Sequence, residues 1–159
     1  MQNRSDVFSN ITAIEEVYRA ENEILQAVSR GRSAKAKQLL ANFPTYALEQ
    51  RTDAVRNLQN YTVVLNTLLR KAAESGGVHP LYIDQLSSSF ARRIETITKV
   101  DSFADFWSEM IQKYCLLVNK HSIQKYSLPI QKIMTRIDFD LASDLSLKAN
   151  AEYLNVSSS

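Results

Sequence analysis

The sequence predicts an all-α chain: a helical bundle followed by a short helical tail. Apolar residues recur at intervals of three and four through almost all of its 159 residues, which is the period of one helix face. No stretch alternates convincingly at the period of a strand, and no repeat of solenoid length appears. Glycine and proline number only three each, a composition that suits long helices better than a turn-rich β-sandwich.

Taken in order, Ile11, Ile14, Val17, Ile24, Leu25 and Val28 stripe a first helix that ends at Gly31. Ser33 is the expected cap of a short second helix, which carries Ala36, Leu39 and Leu40 and stops before Pro44. Val55, Leu58, Tyr61, Leu65, Leu68, Leu69 and Ala72 mark a long third helix. A GGVHP connector follows. In it Gly76 is expected to take the left-handed conformation that closes a helix, because any side chain is penalised there. His79 then serves as N-cap with Pro80 in the first turn, and Val78 and Ile83 occupy the positions of a hydrophobic staple. Ile83, Leu86, Phe90, Ile94 and Ile97 stripe the fourth helix. Ser102 and Asp105 resemble a capping box, although aspartate is shorter than the usual glutamate. They open a fifth helix whose inward face is Phe103, Phe106, Trp107, Met110, Tyr114 and Leu117. The sixth begins near Pro129 and carries Ile130, Ile133, Ile137 and Leu141, and a short seventh runs from about Ser146 to Leu154.

Composition narrows the function classes. Hydrophobic residues make up 45% and charged residues 23%, ordinary values for a globular domain. The formal net charge of +2 is too small to mark a nucleic-acid binder by charge alone. Cys115, the single cysteine, excludes an internal disulfide and a multi-cysteine zinc site and fits a reducing cytosol. No apolar run approaches the roughly 18 residues of a membrane span, and no signal peptide opens the chain. The expected location is cytoplasmic, with no membrane partner.

The chemistry-bearing residues are sparse. No group of histidines, cysteines and acids has metal-ligand spacing, and no glycine-rich phosphate loop or serine elbow appears. Cys115 and His121 lie six apart on one helix and point in different directions. An enzyme is not expected, and no cofactor. Asn66 and Arg70 lie one turn apart and could hold an anionic ligand or a carboxylate on another helix, or tie their helix to the connector. His79, Tyr82 and Asp84 could line a pocket at the mouth of the connector. Phe103, Phe106 and Trp107 have the spacing of core aromatics. Arg92-Arg93 and Arg30-Gly31-Arg32 have the character of solvated faces.

Beyond spacing, two strings resemble a family. "EEVYRAENEILQAVSRG", "RN" at 56–57, "NTLLRKAAESGGVHPLYID" and "IE" at 94–95 are similar to the helical segment upstream of the DNA-binding domain in a group of AraC-type bacterial regulators. "IQKIMTRIDFDLASDLSLKANAEYLNVSSS" resembles the beginning of the AraC-type DNA-binding domain. Its family features here are Leu145-Ser146-Leu147, the small Ala151 facing a partner helix, and the turn at Val156-Ser157. The resemblance implies residues 1–126 as a helical regulatory or dimerisation domain and 127–159 as the truncated start of the DNA-binding domain. Ser157, Ser158 and Ser159 would stand at the start of a recognition helix that this stretch does not contain. The implied whole is a sequence-specific transcriptional regulator, a homodimer whose partner is DNA, with a small-molecule effector. The stretch alone is expected to bind DNA poorly. The alternative is a helical interaction or ligand-sensing module that does not bind DNA.

Overall fold

The computed structural model describes residues 4–44, 53–123, 126–139 and 146–155. These form seven helices and no strand: α1 (Arg4–Ser29), α2 (Ser33–Ala41), α3 (Ala54–Ser75), α4 (Pro80–Ile94), α5 (Ser102–His121), α6 (Leu128–Phe139) and α7 (Leu147–Leu154). The expected all-α class is what the chain adopts. It divides into two compact units, residues 1–122 and 123–159.

In the first unit α5 packs against each of α1, α2, α3 and α4. Its apolar stripe makes it the hub. Phe103, Phe106, Trp107, Met110, Ile111, Tyr114, Cys115 and Val118 are all buried. Leu58, Leu65 and Leu69 of α3, Ile83 and Phe90 of α4, and Ile24 and Val28 of α1 complete the core. Trp107 meets Tyr61 and Phe43 edge-on, at centroid distances of 5.4 and 6.2 Å, a favoured geometry for ring quadrupoles. Its buried indole N–H donates to Thr62 Oγ1 at 2.7 Å, and Thr62 donates onward to the Leu58 carbonyl at 2.6 Å. The core reading of these aromatics therefore holds, with the indole's polar atom satisfied.

Two helix ends close in the same way. After α1, Gly31 N–H donates to the Val28 carbonyl and Arg32 N–H to the Ala27 carbonyl, with Gly31 at φ +64°. After α3, Gly77 N–H donates to Glu74 and Val78 N–H to Ala73, with Gly77 at φ +82°. Both are Schellman motifs, in which the left-handed residue frees two carbonyls to find donors. The left-handed glycine is thus Gly77 and not Gly76, whose φ is −75°. Gly76 is small for another reason: a Cβ there would lie 2.6 Å from the Ser29 carbonyl oxygen.

The next cap is where the sequence puts it. His79 Nδ1 accepts from Leu81 N–H at 3.3 Å, Pro80 opens α4, and the staple residues Val78 and Ile83 are both buried. Two other caps differ. Ser33 is the first residue of α2 and not its cap; Arg32 holds that position without a side-chain hydrogen bond. Ser102 likewise lies inside α5, and its N-cap, Asp101, makes no side-chain cap bond. The reason is local. The preceding turn already supplies acceptors, since Ser102 N–H reaches Lys99 and Phe103 N–H reaches Val100, leaving a capping box little to satisfy.

Arg93 is exposed, as its reading as a solvated face expects, and it carries a partner there. Its guanidinium forms a bidentate pair with Glu109, both contacts at 2.7 Å, and lies 4.9 Å from the Phe106 ring centroid. The hydrogen bond from Arg93 holds the Glu109 carboxyl below its ordinary value of 4.5. A depressed carboxyl adds stability above the unfolded-state value and loses it as pH falls through the lower folded-state value. Both side chains are largely exposed, so Glu109→Gln should cost less than about 1 kcal/mol at neutral pH. Chemical denaturation of both proteins at neutral pH and near pH 3 should find that difference shrinking in acid.

The second unit is a helix pair. Ser146 Oγ accepts from Ala149 N–H at 3.2 Å to cap α7, and Asn155, at φ +54°, closes it. Arg136 of α6 donates to the Ala149 carbonyl at 3.2 Å and to Asn150 Oδ1 at 3.3 Å, with its guanidinium 5.0 Å from the Tyr153 ring. Ala151 is buried, while Ile137 and Leu147 are exposed. Leu141 and Leu145 fall outside the described residues.

Candidate functional site

Two of the chain's three glycines, Gly31 and Gly76, approach the last turn of α5. Asn119 Nδ2 donates to the Gly31 carbonyl at 2.9 Å. At Gly76 an added Cβ would meet Val118 Cγ1 at 3.1 Å as well as the Ser29 carbonyl. His121 stacks on Tyr82 of α4, with centroids 3.9 Å apart and planes inclined by 27°. The α1–α2 corner, the α3–α4 connector and the end of α5 therefore meet at one end of the first unit. His121 is the final residue of α5, and the boundary of the unit follows directly after Ser122. The GGVHP connector is thus both a helix joint and a wall of the exit turn.

The expected site residues divide around this junction. Asn66 is buried inside the unit. Its Nδ2 donates to the Ser87 carbonyl at 3.1 Å and to Ser87 Oγ at 3.2 Å, and its Oδ1 accepts the Tyr114 hydroxyl at 2.8 Å. These bonds bracket α3, α4 and α5 together and leave the amide turned away from solvent. Burial pushes the Tyr114 hydroxyl up to about 12, so it stays a neutral donor at every physiological pH. Arg70 is exposed and comes within 3.9 Å of Asp84, a long pair between two solvated side chains. A surface cavity of about 240 Å³ lies beside it, lined by Thr67, Arg70, Lys71, Glu74, Pro80 and Ile83. His79 caps α4, Tyr82 faces His121, and Asp84 faces Arg70, so none of these three walls that cavity. Ser157, Ser158 and Ser159 lie outside the described residues.

Elsewhere the interior leaves little room. The void beneath Trp107, walled by Glu21, Ile24, Leu40, Phe43 and Tyr61, holds about 10 Å³, space for one water-sized body. Tyr61 donates to Glu21 Oε1 there at 2.7 Å; burial, then that bond, raise its pKa. Burial also pushes the Cys115 thiol up to about 11, which leaves it protonated and unreactive at neutral pH. Among the described residues no three of histidine, cysteine, aspartate and glutamate gather as metal ligands would, and no helix is long and apolar enough to cross a membrane.

Sequence reasoning missed the exit turn. It paired His121 with Cys115 as a question of chemistry and did not match it with Tyr82, and it gave Asn119 no role. The one signal was the scarcity of glycine, since all three fall at corners. Comparison with protein-family models, with curated proteins and with solved structures returns no match.

Proposed function

We propose that this chain is the regulatory helical part of a sequence-specific transcriptional regulator, joined to the opening helices of its DNA-binding domain. The observation that carries the reading is the helix pair α6–α7. It stands where the AraC-type resemblance expects the domain to begin, with Ser146 as cap and the small Ala151 buried. A small residue at that place is what the close crossing of a helix-turn-helix requires. In this reading the DNA-binding domain reads base edges in the major groove. The first unit senses an effector, the protein acts in the cytoplasm as a homodimer, and it catalyses no reaction.

The end-of-bundle junction supports a regulatory role for the first unit. The last turn of α5 is tied to both interhelical corners through Asn119 and His121, so a change at either corner is felt where the chain passes to α6. Chromatin immunoprecipitation of the complete gene product in its own cell tests the proposal. Enrichment at a defined set of promoters is expected, with a shared sequence beneath the peaks. Uniform background across the genome, from a folded and expressed protein, would reject it in favour of a helical interaction or ligand-sensing module.

A further inference from the structure

The α1–α2 corner carries a second surface cavity, of about 330 Å³, lined by Glu23, Gln26, Ala27, Arg30, Arg32, Lys35 and Leu39. Its two ends differ in charge. α1 runs down to Arg30, the chain turns at Gly31, and α2 runs back from Arg32 through Lys35 to Leu39. The three cations therefore gather at the corner end, while Glu23 and Leu39 stand at the other. Among the described residues none of these three cations is in an ion pair. The first turn of α2 also contains no acidic side chain, and Arg32 supplies no cap acceptor. The cluster is thus left without internal neutralisation.

We propose that this cavity binds a small phosphate monoester whose alcohol part carries hydroxyl groups. Two guanidinium forks and an ammonium present more donors and more charge than one carboxylate can use, whereas a dianionic tetrahedral phosphate has an oxygen for each. Glu23 at the far end repels a second anionic group, which selects against di- and tricarboxylates and against polyphosphates. Its carboxylate accepts hydrogen bonds from hydroxyl groups instead, with Gln26 beside it able to donate or accept. Ala27 and Leu39 give the carbon skeleton an apolar wall. The volume suits a compact metabolite, near the lower end of typical small-molecule sites. Gly31, between the two arginines, holds Asn119 of the exit turn through its carbonyl. Occupancy at the corner is consequently next to the junction described above. The site depends on no DNA-binding role, so either proposal can fail without the other.

Isothermal titration of the full chain tests it, with inorganic phosphate, glycerol phosphate, glycerol and citrate as probes at matched ionic strength. Saturable binding of glycerol phosphate at one site per chain is expected, with inorganic phosphate weaker and neither glycerol nor citrate binding. Arg30→Gln and Arg32→Gln should each weaken glycerol phosphate by about tenfold, the usual effect of removing a charge-assisted hydrogen bond. The exposed Arg92→Gln should leave it unchanged. Circular dichroism melts establish that the variants are folded, and both replaced side chains are exposed. Failure of both phosphate probes to saturate overturns the proposal. So does citrate binding as well as glycerol phosphate, or binding that persists unaltered in both arginine variants.

Discussion

Replacing Asn66 with leucine should lower the unfolding free energy by about 3 kcal/mol or more, because it strands buried polar groups on two other helices. Leucine is nearly isosteric with asparagine, so the cost is not a cavity. The Tyr114 hydroxyl loses its acceptor, and the Ser87 carbonyl and hydroxyl lose their donor. Tyr114→Phe removes only one partner and leaves Asn66 Oδ1 unsatisfied, at about 1–2 kcal/mol. The double variant should cost clearly less than the sum, since the phenylalanine no longer needs the oxygen that leucine took away. Urea unfolding of the four proteins measures this directly. Additive losses would mean that the Tyr114–Asn66 bond contributes nothing of its own. Losses below about 1 kcal/mol for Asn66→Leu would mean that water replaces the amide in a site that is buried.

That bracket illustrates what a one-dimensional reading can and cannot reach. The apolar stripes of α3 and α5 were legible because a helix repeats its inward face every three or four residues. The connector's His79 cap, Pro80 and staple were legible because all their partners are local, none more than five residues apart. Asn66 interrupts its stripe as a polar residue, and its partner Tyr114 is 48 positions away. Nothing local distinguishes such an asparagine from one on a wet surface. Arg93 is solvent-facing as the sequence suggests, but its partner Glu109 belongs to the next helix, 16 positions on. The Asn119–Gly31 bond spans 88 positions. Periodicity specifies faces, and turn chemistry specifies corners, but neither specifies which faces and corners will meet. The two mistaken caps have a different origin: the backbone turns before α2 and α5 supply acceptors themselves, so a serine of the right type stands in the wrong register.

The corner glycines furnish the other large effect. Gly31→Ala should cost about 2–3 kcal/mol, made up of roughly 1–2 kcal/mol for an L-residue held at positive φ and about 1 kcal/mol for the strained or broken Asn119 bond. The new Cβ would lie 2.0 Å from Asn119 Oδ1, and the amide, as the end of a side chain, can swing away only by abandoning the Gly31 carbonyl. Gly76→Ala should cost about 1–3 kcal/mol by a different route, overpacking. Its φ is one that alanine accepts readily, but the Cβ collides with the Ser29 backbone carbonyl at 2.6 Å, and that cannot rotate out of the way. The ends of α1 and α3 must then separate. Gly77→Ala, held in the left-handed conformation, serves as the control for conformational strain and should cost about 1–2 kcal/mol. Amide hydrogen exchange distinguishes the cases beyond their stabilities. Gly31→Ala and Gly76→Ala should both hasten exchange at the final turn of α5, where Ser122 N–H is held by the Val118 carbonyl at 2.9 Å. Gly77→Ala should leave that turn protected to the limit set by global unfolding. If all three variants exchange alike once corrected for stability, the exit turn is not coupled to the corners. The regulatory reading of the junction would then lose its physical basis, because a signal at either corner would have no bond through which to reach the end of α5.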